Sequence, residues 1–142
     1  MSIPLWTLLG FAAWTVLLLL STIGVYRWSR ILTGRVPIRE FRADQVEGAD
    51  WYRRSMRAHA NCIENLPVFG AIVLALHVGD VHGTLVDYLC IAVLAARVVQ
   101  SLIHVSFVPT NTVVSVRFSF FFVQLASFLT LVVMIVRHAG LT

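Results

Sequence analysis

The sequence predicts an all-α integral membrane protein, folded as an up-down bundle of four transmembrane helices. Three observations carry this. Of the 142 residues, 58% are hydrophobic and 13% charged, about half the charged share of a soluble domain. Four segments each supply the roughly 20 mostly apolar residues that a span requires, at residues 3–26, 51–78, 84–107 and 112–136. Two of the three connections are short, which makes neighbouring helices antiparallel. The length suits one domain over residues 1–142.

The first span carries no charge. It is too long for the core of a signal peptide and lacks the basic start of one. A polar loop, residues 27–50, follows with Gly34, Pro37 and Gly48. The second span holds Arg57, Asn61 and Glu64, each expensive in hydrocarbon. GDVHG, residues 79–83, makes a tight turn into the third span, which contains Arg97. FVPTN, residues 107–111, makes another: Pro109 cannot continue a helix, and Thr110 or Asn111 can cap the fourth, which holds Arg117.

All eleven cationic side chains are arginines, and eight of them (27, 30, 35, 39, 42, 53, 54 and 57) lie between residues 27 and 57. A basic cluster set between two apolar spans reads as a membrane-flanking loop and not as a nucleic-acid surface. Arg27, Arg30 and Arg53 are placed to reach phospholipid headgroups. The same asymmetry puts the 27–57 region in the cytoplasm and both termini on the opposite side. Cys62 and Cys90 sit inside apolar segments with no CxxC, and no Cys or His spacing suits a metal.

At 100° per residue, Arg57, Asn61 and Glu64 fall within about 60° of one another. The charged groups of the second span therefore form one seam. In the third span Arg97, Gln100 and His104 also share a face. Counted from the same end, Glu64 and Arg97 reach similar depth, so a Glu64–Arg97 ion pair is expected. It would be structural, holding the second and third helices in register. Gln124 follows Arg117 at i+7, so the polar seam of the fourth span turns inward as well. Together these seams predict an electropositive pocket for an anionic, peptide-like ligand. Arginine forks fit carboxylates; Asn61 suits an amide, and Glu64 suits an ammonium.

The run Arg57-Ala58-His59-x-Asn61-x-x-Glu64-Asn65-x-Pro67 resembles the helix-two signature of the MAPEG family, the membrane-associated proteins in eicosanoid and glutathione metabolism. Thr33-Gly34-x-Val36 with Arg39, then Arg97 and Arg117, match in spacing. The resemblance implies a homotrimer with ligand sites between subunits, and glutathione as cosubstrate near the cytoplasmic face. By matched position Arg57, Asn61, Glu64, His104 and Arg39 would bind glutathione or support its site. Arg117 would be the catalytic arginine beside the sulfur. The family's chemistry sets a glutathione thiolate against a lipophilic electrophile or a peroxide.

The chain also departs from the pattern, with Ala60, His104, Phe118 and Phe121 where family members often carry basic, tyrosine or other polar residues. His104 is either an alternative donor or base, or a helix-end histidine reaching water. Two functions stay open: a glutathione-dependent transferase or peroxidase, and a non-catalytic trimeric membrane protein that binds a lipid or protein partner. A transporter would need broken helices or inverted repeats, and the sequence has neither.

Overall fold

The computed structural model describes residues 1–41 and 48–140. Four helices are long and apolar enough to cross a membrane: α1 (Ile3–Leu32), α2 (Asp50–Val78), α3 (Thr84–Ser106) and α4 (Asn111–Gly140). The chain is a multi-pass integral membrane protein. Helix α3 lies at the centre, packed most extensively on α4 and also on α1 and α2. Helix α2 touches α4 more lightly.

Three expected spans agree with these helices to within a residue or two at most ends, but α1 is longer than expected. It runs on through one widened turn, Leu19–Gly24, to Leu32. The expected loop from residue 27 therefore begins as helix, while residues 42–47 of it, Arg42 included, lie outside the described residues. The apolar run ends at Arg27, but arginine is a good helix former, so hydropathy alone ends α1 too early. Gly34, at φ +69, ends the helix instead. Its N–H bonds to the Ile31 carbonyl and that of Arg35 to the Arg30 carbonyl, the paired closure typical of a left-handed C-terminal glycine.

Aromatic side chains hold the extension. Tyr26 stacks on Tyr52 at 4.0 Å and meets Trp51 edge-on at 5.3 Å. Arg27 donates from Nε to the Tyr52 hydroxyl at 2.9 Å and lies over the Phe41 ring. Arg30 lies over the Tyr26 ring at 4.6 Å. These two arginines, expected at the headgroups, are thus also engaged with protein rings. Gly48 closes the cluster: a side chain there would collide with the Tyr26 hydroxyl, which also accepts from the Ala49 N–H.

The main core lies deeper, where Phe69 of α2 meets Phe11 of α1 at 5.8 Å and Phe128 of α4 at 6.0 Å. Lipid tails are as apolar as these rings, so close packing and not transfer from water holds the helices together. Helix α2 continues through Pro67, as helices in membranes can when neighbours re-satisfy the freed carbonyl. Thr110 caps α4, its Oγ1 accepting from the Val113 N–H at 3.2 Å, as its position before the helix predicts.

Candidate functional site

An open cleft of about 500 Å³ lies where α2, the end of α3 and the start of α4 meet. Its walls are Arg53, Arg54, Arg57 and Asn61 from α2, His104 from α3, Pro109 from the α3–α4 link, and Val114 and Arg117 from α4. The helical period produces the α2 wall, since residues 53, 57 and 61 recur at i+4.

Each wall is tied in place. Arg54 donates from Nε to the Val105 carbonyl at 3.1 Å. That carbonyl is in the last turn of α3, where partners are lacking and a cation is favoured. The backbone carbonyl of Arg117 accepts from Gln100 Nε2 at 3.1 Å. Gln100 Oε1 in turn accepts from Gln124 Nε2 at 3.0 Å. Gln100 and Gln124 are both buried, so the inward polar seam expected of α4 is present. His104 is also buried, at 5% exposure. It lines the cleft and does not reach water as a helix-end residue.

Four guanidinium groups thus surround one cleft, and among the described residues no carboxylate lines it. Arg57 is exposed and Arg117 half-buried, so their donors are available to a guest. A carboxylate there would take charge-assisted, forked hydrogen bonds and relieve the repulsion among the arginines.

The structure brings together Arg57, Asn61, His104 and Arg117 and leaves other expected residues outside. Glu64 is exposed on α2 beyond the cleft. Arg39 is exposed in the short turn Ile38–Glu40 and does not line it. The Glu64–Arg97 ion pair does not form. Arg97 is 1% exposed, and its Nε and Nη2 have no hydrogen-bond partner. Its guanidinium lies 5.6 Å from the centre of the Phe11 ring. The Glu64 and Arg97 charges remain within electrostatic reach of each other, but no direct ion pair closes between them. Cys62 is fully buried, 3.5 Å from the Ser101 hydroxyl. Pro109 and Val114 carry no signal in the sequence as wall residues, being ordinary apolar side chains.

A family model described as the MAPEG family matches residues 4–137. The chain belongs to the MAPEG family. Comparisons with curated proteins and with solved structures returned no match. In this MAPEG chain the departures from the family pattern sit apart from the cleft, His104 excepted. Ala60 is exposed. Phe118 and Phe121 pack on each other at 6.2 Å on the outer side of α4, and neither lines the cleft.

Proposed function

We propose that this MAPEG protein is a membrane-bound, glutathione-dependent transferase or peroxidase acting on lipophilic electrophiles. The observation that carries the reading is the convergence of Arg53, Arg54, Arg57 and Arg117 with Asn61 and His104 on one cleft that no carboxylate among the described residues lines. Glutathione offers two carboxylates for the arginines and amides for Asn61. Arg117, opposite the α2 arginines, stabilises the thiolate, because a nearby cation favours the charged form of a thiol. The sulfur then attacks an electrophilic carbon, forming a C–S bond as the displaced group leaves with its electron pair. With a hydroperoxide, two glutathione molecules give the disulfide, the alcohol and water. The arginine-rich end faces the cytoplasm, following the positive-inside rule, and the working unit is a homotrimer.

The second reading is a non-catalytic trimer that binds a lipid or protein partner. One observation favours it: among the described residues no hydroxyl side chain lines the cleft, which leaves His104 as the candidate there for proton transfer. Titration calorimetry on the detergent-purified protein tests the first reading. Reduced glutathione binds saturably at millimolar concentration or below. Arg57→Ala or Arg117→Ala weakens binding by about tenfold or more, the worth of a hydrogen bond to a charged group. A thiolate absorbance band on adding glutathione distinguishes catalysis from binding alone. No saturable binding at millimolar glutathione supports the second reading.

A further inference from the structure

The arginines of residues 27–57 do not act as one patch. Arg27 and Arg30 are engaged with Tyr52, Phe41 and Tyr26, and Arg53, Arg54 and Arg57 wall the cleft. Arg35 and Arg39 do neither. Both are exposed, and among the described residues neither side chain makes a hydrogen bond, ion pair or ring contact. They stand on the turn that follows α1, among large apolar side chains that are also uncovered: Leu32 at 79% exposure and Ile38 at 68%. Trp28, one turn before Leu32 on the same face of α1, is exposed too.

Depth decides what such a surface meets. Helix α1 has 30 residues, which at 1.5 Å each is about 45 Å. The hydrocarbon core is about 30 Å thick, and the bilayer with its headgroups about 40–45 Å. The end of α1 and the turn after it therefore lie in the headgroup layer. Exposed leucine, isoleucine and tryptophan are at home there, as they would not be in bulk water. Two unpaired guanidinium groups at that level face the phosphates, and forked donors match phosphate oxygens. Among the described residues of the turn, Arg35 and Arg39 stand against one acidic side chain, Glu40.

We infer that Arg35 and Arg39, flanked by Leu32 and Ile38, form a binding surface for anionic phospholipid headgroups, separate from the arginine cleft. The apolar side chains seat the turn at the acyl boundary, and the arginines select negative charge above it. This gives Arg39 a role the cleft does not.

The test uses the full chain in nanodiscs made from equal parts phosphatidylcholine and phosphatidylglycerol. The protein is released and its retained lipids are counted by native mass spectrometry. Phosphatidylglycerol is retained in excess, and the excess falls by about fivefold for each arginine replaced in Arg35→Gln and Arg39→Gln, the share expected of one arginine near a charged surface. The double lysine variant, Arg35→Lys with Arg39→Lys, keeps most of the excess. Equal retention of the two lipids by the unmodified protein overturns the inference. So does an excess unchanged in the double glutamine variant, which places the lipid on other arginines. A double glutamine variant that loses subunits at unchanged lipid excess also overturns it, since the surface then meets a second copy of the chain.

Discussion

At position 97 a guanidinium is buried with two of its nitrogens unpartnered. A cation over an aromatic ring is worth about 2 kcal/mol when desolvated, whereas burying an unpaired charge costs several kcal/mol. The Phe11 ring therefore offsets only part of the cost. Arg97→Met, which keeps the volume and removes the charge, is expected to stabilise the protein by about 1 kcal/mol or more. Glu64→Gln, at an exposed carboxylate that acts on Arg97 without pairing to it directly, shifts thermal stability in detergent by no more than about 1 kcal/mol. Thermal unfolding of both variants in detergent measures this. A lower midpoint for Arg97→Met would mean that a counter-anion reaches the site, with Glu64, whose charge acts on Arg97, the group to supply it.

Among the helices, the contact that matters most for the cleft is that of α3 with α4. Arg117 has no side-chain tether to α3; its backbone is held by Gln100, and Gln100 by Gln124. Gln124 is fully buried and also donates to the Phe120 carbonyl at 3.1 Å. Gln124→Leu removes the donor to Gln100 and is expected to cost about 1–3 kcal/mol, the penalty of an unsatisfied buried acceptor. It also lets the first turns of α4 drift from α2. Glutathione affinity, followed by calorimetry, should then fall several-fold while Arg117 itself is intact. Unchanged affinity in a folded Gln124→Leu protein would show that the pair is structural only. The two glutamines were legible as inward-facing polar residues in apolar spans; their bond to each other depends on how α3 and α4 are rotated, which spacing along one helix does not determine.

The protomer as a whole leaves much unburied. Between 22% and 39% of the most apolar stretch of each helix is buried inside it. Lipid can cover the apolar remainder, but not Glu64, whose exposed carboxylate at membrane depth costs a few kcal/mol or more unless paired or wetted. The cleft is likewise open at the protomer surface. Both features are accounted for if further copies of the chain pack along α2. Light scattering with detergent correction is expected to give the mass of three chains, and a monomeric mass in mild detergent would remove the case for sites between subunits.

Taken by itself, the sequence determined that the chain crosses a membrane four times, where three of the helices run, and that arginines crowd one end. Those properties follow from hydropathy, helical period and turn chemistry, all local along the chain. The convergence of Arg53, Arg54, Arg57 and Arg117 was legible in the same way; tertiary structure alone decided which of the other arginines are engaged with aromatic rings and which stand apart from both. It also left Glu64 and Arg97 without a direct ion pair, although counting along the helices puts them level. The reason is rotational: depth follows from counting residues, whereas the direction of a side chain depends on how each helix is turned against its neighbours, and that is settled by packing.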